Sequence, residues 1–65
     1  MKNRIREYIE RRKMTQRELA EEVGVTEVTM SRYCDGKREP SISTAIKISN
    51  ALRTSVYVLW EIEDD

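Results

Sequence analysis

The sequence predicts a compact all-α domain of five helices, and three observations support this fold class. Between residues 16 and 35, apolar side chains recur every three or four positions, which is the spacing of a buried helix face. Gly24 lies in the middle of that segment, where a residue with positive φ can end one helix before the next begins. Each half of the segment follows a residue that favours helix N-termini, Thr15 in the first case and Thr26 in the second.

The first predicted helix covers about residues 3–12, with Asn3 as its candidate cap. Helical spacing gives it a buried face of three residues, Ile5, Tyr8 and Ile9. Opposite charges stand four residues apart in two pairs, Glu7–Arg11 and Arg6–Glu10. This spacing is typical of ion pairs on the exposed side of a helix, so we expect that side to face solvent.

The next two helices form a helix-turn-helix pattern over residues 16–35. Thr15 and Glu18 have the spacing of a capping box, and Val25 and Met30 have that of a hydrophobic staple around the Thr26 cap. The two helices direct six apolar or aromatic residues inward: Leu19, Ala20, Val23, Val25, Met30 and Tyr33. Two capped helices with inward faces, joined through one glycine, are typical of a DNA-binding unit.

A loop over residues 36–40 ends the third helix, and the fourth begins after Ser41. We expect the fourth helix to bury four residues: Ile42, Ala45, Ile48 and Leu52. Ile46 is expected at the edge of that face.

The segment after Ser55 allows two interpretations. Ser55 can cap a short fifth helix, but the alternation of residues 56–63 also fits a strand, and we expect a helical turn or two followed by a short extended tail. The segment carries more apolar surface than a small monomer needs, so residues 55–62 are a candidate homodimer contact. Its candidate interface residues are Val56, Tyr57, Leu59, Trp60 and Ile62. The alternative is that Leu59 and Trp60 complete the core.

Composition is compatible with one small domain covering residues 1–65. The formal net charge is zero, which is unusual for a protein that binds DNA. The distribution of the charges explains part of this neutrality, because four of the twelve acidic residues lie among the last five residues. Residues 1–60 carry twelve basic and eight acidic groups, a net charge of +4. An acidic tail held away from the DNA would leave a locally positive surface.

The residue inventory argues against several other classes. There is no histidine and a single cysteine, Cys34, so we expect no internal disulfide, no metal site and no cofactor. Cys34 has no candidate base and is expected to pack rather than act as the nucleophile of an enzyme. The longest apolar run, residues 56–60, is too short to cross a membrane, and the N-terminus does not resemble a signal peptide. We expect a cytoplasmic, non-enzymatic protein with no small-molecule ligand.

Residues 3–60 resemble the lambda-repressor-like (Xre/Cro-type) family of bacterial and phage transcription regulators. The matching positions are Thr15 and Gln16, Leu19 and Ala20, Gly24, the run Met30-Ser31-Arg32, Gly36, Pro40 and Ser41. This resemblance implies a five-helix fold whose third helix enters the major groove of DNA. A bacterial or phage host is also implied.

Four outward residues of the third helix are candidates for reading bases: Glu27, Val28, Ser31 and Arg32. Arg32 can donate to guanine O6 and N7, or else contact a phosphate or form an ion pair with Asp35 or Glu27. Val28 suits a thymine methyl, or else packs against the second helix. Glu27, where the family often has Gln, can accept from cytosine N4 or serve its own helix N-terminus. Ser31 reaches a base or a phosphate only at close approach.

Candidate phosphate contacts lie on both sides of the third helix: Gln16, Arg17, Thr26, Lys37, Arg38 and Ser41. The Gln16 side chain and nearby backbone N–H groups suit a phosphate, as in the family. Solvated surface charge is the alternative for Arg17, Lys37 and Arg38.

These observations predict a dimeric repressor that reads a palindromic operator in double-stranded DNA. The alternative function is a protein-interaction module of the same fold, such as an antitoxin or an anti-repressor partner, with weak or no DNA binding. Neutral net charge and Glu27 favour the alternative, whereas the candidate contact residues favour DNA.

Overall fold

The computed structural model describes residues 2–61, and this part of the chain is all-helical and contains no strand. Its five helices are α1 Ile5–Arg11, α2 Gln16–Val23, α3 Glu27–Cys34, α4 Ile42–Ala51 and α5 Val56–Leu59. The predicted fold class is therefore confirmed, and the helical interpretation of residues 56–59 is correct. Most of the predicted extended tail lies outside the described residues.

The start of α1 is held by a residue just outside the helix. Arg4 occupies the N-cap position of α1 and makes no side-chain cap hydrogen bond, so the prediction that Asn3 is the cap was wrong. Asn3 Oδ1 instead accepts a hydrogen bond from the backbone N–H of Ile5, the first residue of α1, at 3.0 Å. Its Nδ2 donates to the Tyr33 carbonyl at 2.7 Å. One side chain thus connects the start of α1 to the end of α3.

The predicted helix starts at α2 and α3 are confirmed. Thr15 Oγ1 accepts from the Glu18 N–H at 3.0 Å and Glu18 Oε1 accepts from the Thr15 N–H at 2.9 Å, which completes the capping box. Thr26 Oγ1 accepts from the Thr29 N–H at 3.1 Å. Gly24 has a φ of +89°, in the left-handed region that glycine adopts without a steric penalty.

Helix α4 departs from prediction at its first residue. Ile48 and Leu52 are buried and Ala45 packs partly against the core, but Ile42 is 82% exposed. Helical side chains lean toward the N-terminus of their helix, so the Ile42 side chain extends beyond the first turn of α4, where no other helix covers it. The prediction that Ile42 is buried was therefore wrong.

The C-terminus of α4 ends without glycine. Arg53 adopts a φ of +55°, which costs an L-residue about 1–2 kcal/mol. Arg12 offsets part of this cost by donating from Nε to the Leu52 carbonyl at 3.0 Å and from Nη2 to the Arg53 carbonyl at 3.3 Å. The α1 C-terminus therefore supplies the donors that the end of α4 requires.

The core draws on all five helices. Its fully buried side chains are Ile5, Leu19, Met30, Ile48, Leu52 and Leu59. The backbone N–H of Arg4 donates to the Leu59 carbonyl at 2.7 Å, which fixes α5 beside the start of α1. Ser49 is buried as well, and its hydroxyl donates to the Ala45 carbonyl at 2.8 Å, so its polar group is satisfied inside the fold.

Candidate nucleic-acid interface

Helix α3 has one buried side and one open side. Met30 and Tyr33 anchor it in the core, as predicted. On the open side lie the four residues that we call the reading face: Glu27, Val28, Ser31 and Arg32. Three of them are exposed and Ser31 is partly buried. The α3 helix therefore presents a polar surface of its own, anchored from behind by apolar contacts.

Val28 is the large apolar residue of the reading face. Its side chain is 65% exposed, so the alternative in which it packs against α2 is wrong. An exposed valine among polar neighbours has no role in the core. Its methyl groups are free to contact an apolar group of a ligand.

The carboxylates near Arg32 are paired with other residues. Asp35 lies 2.6 Å from Arg6 Nη1, and Glu27 lies 3.7 Å from Arg17 Nε. Within residues 2–61 Arg32 takes part in no ion pair, so both of its alternative ion-pair roles are wrong. The predicted Arg6–Glu10 pair is also wrong, because Arg6 reaches α3 instead.

In the sequence, the candidate phosphate contacts lie before and after the reading face. Gln16 and Arg17 open α2, and Lys37 and Arg38 follow α3, where their backbone N–H groups donate to the Arg32 carbonyl at 3.0 and 3.4 Å. These bonds attach the basic loop to the end of α3. Gln16 is partly buried and the three cations are exposed.

Thr26 and Ser41 are both exposed, but their hydroxyls already serve the helices. Each accepts a backbone N–H at a helix start, and each donates to a threonine three residues on, Thr29 or Thr44, at 2.9 and 3.0 Å. A phosphate oxygen accepts hydrogen bonds only. Either hydroxyl must therefore release its threonine partner before it can donate to a phosphate.

Only part of the candidate dimer segment is exposed in the structure. Leu59 and Trp60 are buried within the single chain, so their alternative role in completing the core is the correct one. Val56 is partly buried, Tyr57 is 56% exposed, and Ile62 lies outside the described residues.

An apolar groove that the sequence did not predict adjoins the exposed part of this segment. It has a volume of about 210 Å³, and its apolar lining comprises Pro40, Ile42, Ala45, Ile46, Val56 and Trp60. We call this surface the α4–α5 groove. The helical spacing of α4 predicts a buried Ile42 and an Ile46 at the edge of the buried face, whereas both side chains are exposed and line this groove.

Cys34 lies partly buried on α3. Burial raises the pKa of its thiol, an effect that the nearby Asp35 carboxylate reinforces and Arg6 opposes. A raised pKa keeps the group in its less reactive neutral form. No cluster of three or more His, Cys, Asp or Glu suited to a metal occurs within residues 2–61. No helix in the same range has the length and apolar character needed to cross a membrane.

Comparison with known proteins gives consistent results. A helix-turn-helix family model matches residues 5–59. A protein of Archaeoglobus fulgidus, named as an uncharacterized HTH-type transcriptional regulator, is 37% identical over 65 residues, covering 100% of this chain and 93% of its own. A protein of Methanocaldococcus jannaschii with the same description is 32% identical over 65 residues, covering 100% of this chain and 98% of its own.

Both of these relatives are archaeal, so they do not support the bacterial or phage host that the resemblance implied. The family match spans α1 through α5, and the helix-turn-helix at its centre has the capped, glycine-joined geometry described above. The chain belongs to the Xre/lambda-repressor-like helix-turn-helix family of transcription regulators.

Proposed function

We propose that this protein is a sequence-specific regulator that inserts α3 into the major groove of double-stranded DNA. One observation carries the proposal: the reading face is open, and its Arg32 guanidinium has no ion-pair partner within residues 2–61 while both nearby carboxylates are paired elsewhere. A helix of this diameter fits the major groove, where each base pair presents a distinct pattern of hydrogen-bonding groups.

The four residues of the reading face have different chemistry. Arg32 donates two hydrogen bonds to guanine O6 and N7, a contact worth about 1–3 kcal/mol of discrimination. Val28 packs on a thymine methyl, and Glu27 accepts from cytosine N4. Ser31, partly buried, contacts DNA only where the helix approaches most closely. Together these contacts define a short half-site.

Phosphate contacts set the position of α3 in the groove. Gln16 and Arg17 at the start of α2 hold one strand, and Lys37 and Arg38 after α3 hold the other. Thr26 and Ser41 contribute where their hydroxyls exchange a threonine partner for a phosphate oxygen. Two observations support this placement. Gln16 and Arg17 are the first two residues of α2, and the backbone N–H groups of Lys37 and Arg38 donate to the Arg32 carbonyl near the end of α3.

We further propose that the active form is a homodimer on a palindromic operator. Tyr57 and Val56, with Ile42 and Ile46 of the α4–α5 groove, supply the accessible apolar contact, and Ile62 remains a predicted member of it. A two-fold dimer reads two half-sites about 34–36 Å apart. We place this dimer in the cytoplasm. Its binding to a promoter is sufficient for repression, because a bound dimer excludes other proteins from the same DNA.

A protein-interaction module of the same fold is the second candidate. Two observations favour it: the chain has zero net charge, and a carboxylate, Glu27, lies on the reading face. Such a module would use the same open face of α3 to bind a protein rather than bases. Its DNA binding would be weak and insensitive to sequence.

Selection of bound sites from random duplexes, followed by titration at two salt concentrations, tests the proposal. A reader of DNA should enrich a palindrome and should lose affinity steeply as salt rises, since phosphate contacts release counterions. Recovery of no common sequence, together with micromolar or weaker binding to every duplex, would reject DNA reading and favour the interaction module.

A further inference from the structure

Arg17 and Glu27 form an ion pair between the two helices of the helix-turn-helix. Arg17 is the second residue of α2 and Glu27 is the first residue of α3, and Nε of the former lies 3.7 Å from Oε1 of the latter. Their side chains are 74% and 52% exposed. A pair this exposed contributes little to folding stability, so its consequence is to be sought at the surface.

The pair lies where charge matters most for DNA binding. Double-stranded DNA carries one negative charge per about 1.7 Å of its axis, so an unpaired carboxylate that approaches the groove is repelled. Glu27 must approach the groove, because it begins the helix proposed to enter it. A guanidinium beside it cancels its charge at the point of contact.

The chemistry of arginine allows two contacts at once. Its guanidinium has five N–H donors in a planar fork; Nε lies 3.7 Å from the Glu27 carboxylate, and 74% of the side chain is exposed. The two terminal nitrogens therefore remain able to donate to a phosphate oxygen. Lysine also has three donors, but they lie on one compact ammonium at the end of a flexible stem, so it lacks the planar fork that holds two partners in fixed directions.

We propose that Arg17 is a positioning residue for Glu27, and that the two enter the DNA interface as one neutral unit. This inference rests on the proposed function. Arg17 bridges the Glu27 carboxylate and a backbone phosphate, which holds the carboxylate toward the base edge, where it accepts from cytosine N4. Arg17 thereby affects which base is read, although it touches none itself.

A double-mutant cycle on the selected operator tests the proposal. Four proteins are compared: the wild type, Arg17→Ala, Glu27→Gln and the double variant. Removing Arg17 should weaken operator binding about 20-fold when Glu27 is present, but only about threefold in the Glu27→Gln background, since the neutral amide requires no compensation. Arg17→Lys should restore only part of the affinity, because it replaces the charge but not the fork.

Base preference provides the second measurement. Glu27→Gln should move the preference at one base pair of each half-site from cytosine toward adenine, because glutamine pairs with adenine N6 and N7. In the Glu27 background, Arg17→Ala should lower the cytosine preference at that same position. Arg38→Ala, which removes a cation from the far end of α3, is the matched control and should cost the same factor in both Glu27 backgrounds.

The outcomes separate the possible failures. An equal loss on removing Arg17 in both backgrounds would show that it contacts phosphate only, and an unchanged base preference in Glu27→Gln would show that Glu27 reads no base; either result overturns this inference. A wild type without any sequence preference would instead reject the proposed function. Because both side chains are exposed, unchanged melting temperatures should confirm that every variant is folded.

Discussion

Arg6 Nη1 on α1 lies 2.6 Å from Oδ1 of Asp35, the residue that ends α3. This pair crosses 29 positions of sequence and fixes the C-terminal end of the reading helix to the first helix of the domain. Asn3 adds a second connection through the Tyr33 carbonyl. Since Asp35 is held by Arg6, it does not hold Arg32, and that guanidinium remains open to solvent.

Arg32→Ala should reduce specificity more than affinity. The loss of a forked contact to guanine should lower the ratio of operator binding to random-duplex binding about tenfold, within the 1–3 kcal/mol expected for such a pair. Competition titrations on both duplexes measure this ratio. If cognate and random DNA lose affinity equally, Arg32 contacts phosphate instead of a base.

Arg38→Ala should weaken all sequences alike. A phosphate contact is blind to sequence, so its removal should reduce the slope of log affinity against log salt by about one. Binding measured between about 50 and 200 mM salt gives the slope. An unchanged slope would assign Arg38 to solvated surface charge.

Tyr57→Lys and Ile46→Lys should each weaken self-association about tenfold or more, since burying an unpaired charge in an apolar contact is costly. Sedimentation velocity over a range of protein concentrations provides the measurement. Deleting the chain from Tyr57 onward is a poorer test, because it also removes Leu59 and Trp60 from the core.

Val28→Lys is the matched control for these dimer variants. Val28 is also an exposed apolar residue, but it lies on α3 and does not line the α4–α5 groove. Its substitution should leave self-association unchanged. If Val28→Lys dissociates the dimer while Tyr57→Lys and Ile46→Lys do not, the interface lies on the reading face and the proposed dimer is incorrect.

Gly24→Ala should lower the free energy of unfolding by about 1–2 kcal/mol, the cost of left-handed backbone for an L-residue. A methyl group built at this position meets no atom within 4 Å, so the loss comes from the backbone and not from a clash. Urea denaturation measures it. Gly24→Asn should lose less, because asparagine adopts this conformation more readily, and equal losses would contradict the backbone explanation.

Cys34 should lower stability at alkaline pH. Its folded pKa is raised above the ordinary value of 9.0, chiefly by burial. The neutral thiol therefore favours the folded state below pH 9, and this contribution is lost as pH rises above that value and the unfolded chain ionises first. Urea midpoints at pH 7 and pH 10 should differ less in Cys34→Ser than in the wild type. An identical difference would exclude the thiol as a source.

Local interactions made much of the fold predictable. The Thr15–Glu18 capping box, the Thr26 cap and the Gly24 turn each involve residues at most four positions apart, so their chemistry is visible in the order of the side chains. Helical spacing likewise identified Met30 and Tyr33 as the inner side of α3. The reading face followed as the remaining side of that helix.

Long-range contacts, by contrast, were decided only by the path of the chain. Arg6 had a sequence neighbour of opposite charge at Glu10, but the packing of α1 brought it to Asp35 instead. Ile42 had the spacing of a core residue, but it lies on the first turn of α4, beyond the cover of other helices. Leu59 and Trp60 suited an interface equally well until α5 packed against α4, with a backbone hydrogen bond to the start of α1, and the fold buried them.

The sequence by itself therefore determined α2 and α3, their starts and the side that each turns inward, because these depend on neighbours within one or two helical turns. The tertiary structure decided which charges pair and which apolar side chains remain exposed. Both depend on distances between residues far apart in the chain, and such distances exist only once the helices have packed.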